Sequence, residues 1–380
     1  MIYVEGKNII IGERVKSARV ARMLTLKDLA DKMGVSKQLL SKYETGKTNP
    51  SIENLEKLSE VLDFPIQFFR KESDNTEENK AIFFRSFAGV SKKMKESLSQ
   101  NIEFIEEIYN YFSKFIEFPS FNVDKNIVKD YKIGIDSSYI EKVAYDLREY
   151  WNLGNGPISN MNRLLEKNGI IVANIELDTH KVDAFSHITE SNTPIIILGS
   201  DKESSVRLRM DLAHELWHIL VHFSLSKEEI VNNHKVLEDE AKRFAGAFLL
   251  PSKEFSEDIY TIDLDSFVYL KKKWKVSIAA MVMRAYQLEI IDEKQKTSLF
   301  KKISSRKWRL KEPLDDTIQF EKPQVLKQAV ELLLDNDVLS TEELIYNLAF
   351  NKREIEKFCS LEKNYLGEEN TKRQYLKLIK

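Results

Sequence analysis

The stretch His214-Glu215-Leu216-Trp217-His218 sets two imidazoles four residues apart, with a carboxylate beside the first. On a helix, residues four apart share a face about 6 Å from each other, so both imidazoles can bind one Zn²⁺ while Glu215 reaches water held on the ion. Such water ionises near pH 7, a carboxylate can take its proton, and the cation can steady the oxyanion formed when hydroxide adds to a carbonyl. A tetrahedral catalytic site needs a third protein ligand and leaves the fourth position to water. Glu238 and Glu240, 20 and 22 residues after His218, are the candidates. Leu212, Leu216, Ile219 and Leu220 make the other faces of this helix apolar. The helix is therefore expected to be buried, where two imidazoles and a carboxylate are costly unless liganded.

All six histidines fall between positions 180 and 234. His222, four residues beyond His218, is either a group that hydrogen-bonds a ligand or an exposed helix end. His187 lies in an expected strand and, were the fold that of a zincin, which binds an extended peptide along such a strand, could stabilise an oxyanion. His180 and His234 sit in polar stretches and are expected to be solvated. The single cysteine, Cys359, excludes an intrachain disulfide and a cysteine-cluster zinc site, and no histidine near it in sequence points to a nucleophile.

These residues need elements to hold them. Helical periodicity covers 204–223 and 237–250, and returns in the stretch 265–288. Upstream, helices fit 139–151 and 158–167, and the period then changes. Residues 170–175, 182–188 and 195–198 are short, β-branched and separated by polar turns, which predicts a three-stranded antiparallel meander. Residues 94–116 carry apolar positions mostly three and four apart, one long amphipathic helix. Its steps drift from a strict heptad, so packing onto the second domain is favoured over pairing with a second copy in a homodimer. A further helix, opened by Pro323, covers 324–334.

The first 70 residues read differently. Thr25 is a plausible N-cap for a helix over 26–33, with Asp28 in the place of a capping-box acid, and Gly34 ends it. Ser36 caps a helix over 37–44, and a helix over 51–62 follows. Helix, tight turn and helix form the pattern of a DNA-binding helix-turn-helix, whose second helix offers its N-terminal residues to the major groove. Ser36, Lys37, Gln38, Ser41 and Lys42 would face double-stranded DNA there: Gln38 can pair with adenine, and the lysines can reach guanine edges or phosphates. Residues 1–50 hold ten Lys or Arg against five Asp or Glu, while the whole chain has a net charge of −2, so a basic end sits on an acidic body. Residues 71–80 contain no apolar side chain and are expected to be a linker.

The 380-residue length allows two or three domains, and 42% hydrophobic with 31% charged residues excludes a disordered or membrane-embedded chain. The opening MIYVEGKNIII is not built as a secretion signal, so a cytoplasmic protein without a membrane segment is expected. Gly and Pro are few, 12 and 8, which predicts that helices dominate.

Two resemblances sharpen these expectations. The string from Gly12 to Phe69, with VSKQLLSKYETGKTNPS, resembles the lambda-repressor-like, XRE-type helix-turn-helix family. Leu26 stands where many members have a Gln that contacts phosphate. LRMDLAHELWHILVHF followed by LEDEAKRFAGAFLLP resembles the ImmA/IrrE metallopeptidases, and the likeness extends through LREYWNLGNGPISNMNRLLEKNGIIV, VDAFS and LKKKWKVSIAAMVMRA. It implies Glu238 as third ligand to Zn²⁺, with Glu240 the alternative. Lys242 replaces the family's usual Asn or Asp, Pro251 falls one place early, and Trp217 stands where a smaller residue is common and would narrow the cleft.

The expected fold class is mostly α with a small antiparallel sheet: an all-α helix-turn-helix domain at 1–70, a linker at 71–80, an α+β zincin-like metallopeptidase domain at 81–310, and a helical extension of unassigned role at 311–380. The resemblance implies a regulator that cuts a repressor protein, commonly of the XRE type, in mobile-element or stress-response control. Self-cleavage within 71–80 is a variant. The alternative is a DNA-binding repressor or sensor whose zinc domain binds a ligand or partner and cuts nothing; Glu215 speaks against it, because a structural zinc site needs no general base.

Overall fold

The computed structural model describes residues 10–72, 91–175, 184–189, 191–199 and 204–367. Most of the expected linker, together with Phe83, Phe84, Phe87, His180 and Val182, lies outside the described residues. The chain divides into two compact units that do not follow a simple order along the sequence. One takes the described residues of Met1–Asn79, Ser91–Ile116 and Leu326–Lys380, and the other those of Lys80–Val90 and Glu117–Val325.

The first unit opens with α1 (Gly12–Ala21), α2 (Leu26–Met33), α3 (Lys37–Glu44) and α4 (Ile52–Leu62). The Thr25 hydroxyl accepts from Asp28 N, and the Asp28 carboxylate accepts from Thr25 N, so the expected capping box fixes the start of α2. Gly34 ends α2 at φ 69°, a left-handed conformation that glycine adopts without a Cβ penalty. Ser36 accepts from Leu39 N and starts α3. A Cβ on Gly12 would lie 2.3 Å from Tyr43 O, so only glycine lets α1 approach α3 this closely.

Helix α5 (Lys92–Phe112) was expected against the second domain and instead belongs to this unit. It packs on α1, where Ser97 Oγ donates to Ala21 O at 2.9 Å and the buried Arg14 guanidinium meets Glu107 at 2.6 and 3.0 Å. The reason is chemical fit: Phe104 of α5 lies edge-on to Phe64 and Phe68, with ring centroids 5.7 and 5.5 Å apart. The amphipathic stripe of α5 specified a buried face and left its partner open.

The second unit runs through α6 (Ser137–Tyr150), α7 (Met161–Lys167), β1 (Ile171–Ile175), β2 (Ala184–Ile188), β3 (Pro194–Gly199), α8 (Ser205–Val221), α9 (Lys227–Asn232), α10 (His234–Leu249), α11 (Ser252–Glu257), α12 (Leu264–Trp274), α13 (Ile278–Gln287) and α14 (Glu293–Ser305). The three expected strands form, but not as an antiparallel meander. The order is β1-β3-β2, with β1 parallel to β3 (Ile171 opposite Ile195) and β2 antiparallel to it (Ala184 opposite Leu198). β3 carries the unbroken apolar run Ile195–Leu198 and is buried throughout, the pattern of a central strand covered on both faces. The 265–288 stretch is two helices, because Lys275 turns left-handed at φ 52° and Ser277 caps α13.

Helices α8 and α10 lie side by side at the centre of this unit, in a core that includes Leu212, Leu216, Trp217, Ala241, Phe244 and Phe248. Buried arginines fix both. Arg209 of α8 donates to Glu321 Oε1 at 2.9 Å, and the same carboxylate accepts from Met161 N at the start of α7. Arg148 and Arg284 donate to Phe248 O (2.6 Å) and Leu250 O (3.0 Å), satisfying carbonyls at the end of α10.

The chain then returns to the first unit as α15 (Val325–Asp335), α16 (Thr341–Leu348) and α17 (Lys352–Phe358). Phe350 packs against both Phe104 and Phe68, at 5.2 and 5.7 Å between centroids, and Glu354 pairs with Arg22. Among the described residues no helix is long and apolar enough to cross a membrane.

Candidate metal centre

Helix α8 presents His214 and His218 on one face, with Nε2 atoms 3.0 Å apart. Glu238, in the second turn of α10, brings Oε2 to 3.3 Å from His214 Nε2 and Oε1 to 3.6 Å from His218 Nε2. For ~2.0–2.1 Å bonds to tetrahedral Zn²⁺, donor atoms stand about 3.3 Å from one another, so the three observed separations bracket the edges of such a site. Glu238 Oε1 is buried without a hydrogen-bond partner. A buried carboxylate oxygen left without a donor, beside two imidazoles, is the arrangement that a bound cation would satisfy. The residues present fit Zn²⁺.

Glu240 goes elsewhere. Two residues along a helix turn the side chain by about 200°, so Glu238 and Glu240 face nearly opposite ways. Glu240 accepts from Tyr131 Oη and from Gly134 N, both at 2.7 Å, and lies 3.4 Å from His222 Nε2. His222 is fully buried, not an exposed helix end, and its Nδ1 is 2.6 Å from Nδ1 of His218. A continuous line of polar atoms thus runs from His218 through His222 to Glu240.

Glu215, next to His214, is buried, and its Oε2 accepts from Ser186 Oγ of β2 at 2.6 Å. Burial pushes its carboxyl up to about 7, with the neighbouring His214 and the Ser186 hydroxyl pulling the other way. Burial lowers His214, but its hydrogen bond to Glu238 and the charges of Glu215 and Glu238 outweigh this and hold the imidazole above its usual value. Burial raises the Glu238 carboxyl, but His214, with the charges of His234 and Lys242, pulls it below its ordinary value.

Other candidates fall differently. His187 follows Ser186 on β2, and strand alternation turns it to the face away from Glu215. His234 is the half-buried first residue of α10, not part of a polar loop. Trp217 is completely buried and stacks on Phe244 at 4.9 Å, so it belongs to the core and does not narrow a cleft. Lys242 pairs with Asp239 at 3.7 Å on the surface. Ser186, Tyr131 and Gly134 were not singled out from sequence. Ser186 stood within the VDAFS string, whereas Tyr131 and Gly134 lie more than a hundred residues from the glutamate they hold and carry no local signal.

In the first unit, Ser36, Lys37, Gln38 and Lys42 are exposed along α3, and Ser41 is half-buried. Ser36 spends one oxygen lone pair on its cap and keeps its hydroxyl proton for another partner. Leu26 is half-buried at the start of α2.

Comparison with known proteins agrees with this division. A helix-turn-helix family profile matches residues 15–69, and a peptidase-family profile described as the IrrE N-terminal-like domain matches residues 165–286, which include His214, Glu215, His218 and Glu238. The chain is 39% identical over 93 residues to the HTH-type transcriptional regulator SinR of Bacillus subtilis (strain 168), covering 22% of this chain and 84% of that protein. It is 45% identical over 69 residues to SinR of Bacillus licheniformis, covering 18% of this chain and 62% of that relative's length. The cryptic phage CTXphi transcriptional repressor RstR of Vibrio cholerae is 29% identical over 90 residues, 23% of this chain and 81% of its own. With the helix-turn-helix in one unit and the histidine-glutamate cluster in the other, the chain belongs to the XRE-type helix-turn-helix regulators and carries an IrrE/ImmA-like domain of a peptidase family.

Proposed function

We propose that this DNA-binding regulator is a zinc-dependent endopeptidase that works in the cytoplasm and cuts a repressor protein of the XRE type. The observation that carries the reading is Glu215: a buried carboxylate beside the three-residue cluster, steered by Ser186, is a proton acceptor that a structural metal site has no use for. Zn²⁺ held by His214, His218 and Glu238 would supply Lewis acidity toward water and the scissile carbonyl.

The chain's own residues do the rest. Ser186 occupies Glu215 Oε2 and leaves Oε1 to take a proton and return it to the departing amine. If His218 uses Nε2 toward the cluster, its Nδ1–H donates to His222 Nδ1 and His222 Nε2–H donates to Glu240, a tautomer order assigned from the hydrogen-bond network. The Glu240 charge then supports His218 as an electron-pair donor and fixes its ring. Cleavage of a separate repressor is favoured over self-cleavage at 71–80. A cut there would leave α1–α4 packed against α5 and α15–α17, and these helices remain covalently joined to the peptidase domain.

The test is zinc content and cleavage of co-purified XRE-type repressors by the wild type and three variants. His214→Ala and His218→Ala are expected to lose zinc, and Glu215→Gln to keep zinc and lose cleavage. Zinc and DNA binding without any cut substrate would favour the sensor alternative.

A further inference from the structure

Helix α8 is buried along most of its length, and the residues that are not fully buried are Arg207, Met210, Asp211, His214 and Leu220. The first four are spaced three, one and three residues apart, which is a single stripe on a helix of 3.6 residues per turn. One end of that stripe is the imidazole of the His214–His218–Glu238 cluster. At the other a cavity of about 530 Å³ opens, lined on α8 by Arg207, Met210 and Asp211. Its remaining wall is apolar at Ala279 and Ala280 of α13, Phe300 and Ile303 of α14, and Trp308 beyond it, with Ser277, Arg309 and Glu312 as its polar members. The volume lies within the ~300–1,000 Å³ of ligand sites.

The helix supplies the scale. Asp211 and Met210 precede His214 by three and four residues, a rise of about 4.5 to 6 Å along the axis. An extended polypeptide advances ~3.3 Å per residue. A chain with its scissile carbonyl at the cluster would therefore offer the side chain one or two residues away to this cavity.

We propose that the cavity is the specificity subsite of the domain, taking a long aliphatic or aromatic side chain one or two residues from the bond that is cut. Met210, Ala279, Ala280, Phe300, Ile303 and Trp308 return dispersion and desolvation to such a side chain, whereas a charged one would lose its hydration against this apolar part of the wall, and Glu312 already accepts from Lys271 Nζ, Ile278 N and Ala279 N. Arg207, which donates to Arg309 O at 2.7 Å, and Asp211 line the side of the cavity on the shared stripe. The proposal rests on the peptidase reading and adds to it the chemistry of the sequence that is cut.

The experiment uses the zinc-loaded full chain and an equimolar library of synthetic fourteen-residue peptides, with new termini read by mass spectrometry. The same library is passed over immobilised Glu215→Gln protein to read binding without turnover. The wild type is expected to favour Leu, Met or Phe over Ala and Asp by at least ~10-fold at one fixed position within two residues of the cut. Ala280→Phe fills the cavity and should move that preference to Gly and Ala by a similar factor. Phe300→Ala enlarges it and should move it toward Trp, so either variant suffices if the other does not fold. Cutting with no side-chain preference at those positions, or a preference unchanged in both folded variants, overturns the subsite. Peptides retained with the apolar preference but never cut would leave the subsite standing and overturn the peptidase reading. Peptides neither cut nor retained would overturn both.

Discussion

Replacing Phe350 by alanine perturbs a residue more than 300 positions beyond α3, yet the main effect should appear in the helix-turn-helix. Phe350 is completely buried, with ring centroids 5.2 Å from Phe104, 5.7 Å from Phe68, 6.2 Å from Phe358 and 6.4 Å from Phe64. Removing a buried phenylalanine from such a cluster costs about 3–5 kcal/mol, a large part of the ~5–15 kcal/mol that holds a domain together. The slowest amides of α2 and α3 should then exchange with deuterium roughly 100- to 5,000-fold faster at neutral pH, since each ~1.4 kcal/mol is a factor of ten. Leu332→Ala, at a half-exposed position of α15, is the control and should change exchange little. All four tryptophans fall within Glu117–Val325, so their fluorescence follows the second unit and should shift less than α2 and α3 exchange. Faster exchange in α15–α17 with α2 and α3 unchanged would refute the claim that the C-terminal helices complete the core of the DNA-binding unit.

Other perturbations follow from the same contacts. Glu240→Ala removes the acceptor of Tyr131, Gly134 and His222 and should weaken zinc affinity by about 10- to 100-fold, read by competition with a chromophoric chelator; unchanged affinity would detach this line of groups from His218. Glu107→Ala leaves the buried Arg14 guanidinium without its carboxylate and should destabilise the first unit by about 3–5 kcal/mol in urea titrations. Glu166, which accepts from Gln324 N and Val325 N, is pushed by burial up to about 7 from 4.5. A raised carboxyl contributes stability that is fully present below its unfolded value and is lost as pH rises through the folded one. Glu166→Gln should therefore gain about 3 kcal/mol relative to wild type between pH 4 and pH 8, and a flat difference would contradict the burial argument. Replacing Lys37, Gln38 and Lys42 together should lower DNA affinity with zinc content unchanged, as measured by fluorescence anisotropy.

What the sequence disclosed was local chemistry. Thr25 and Asp28 announce their capping box because both partners sit within four residues, and the i, i+4 histidines announce a shared face for the same reason. Partners set by tertiary packing were silent. The apolar stripe of α5 is equally compatible with either unit, and its place shows only in tertiary contacts: the Phe104 rings, Ser97 with Ala21, and Glu107 with Arg14. β1 and β3 have strand composition, but composition carries no pairing direction, so the parallel register could not be read. The resemblance favoured Glu238 over Glu240, and the physical reason lies in the rotation of α10 and in donors contributed from Tyr131 and Gly134. Ser186 shows the converse: it was in view in the sequence, yet its bearing on Glu215 depends on β2 lying against α8.

The central claim is that His214, His218 and Glu238 hold zinc while Glu215 serves as the base. It is tested most directly by measuring bound zinc and cleavage together in wild type, His214→Ala and Glu215→Gln proteins, using the cognate repressor or the peptide library as substrate. The account predicts about one zinc per chain in the wild type and in Glu215→Gln, little in His214→Ala, and cleavage by the wild type alone. Full zinc in His214→Ala, or undiminished cleavage by Glu215→Gln, would contradict it.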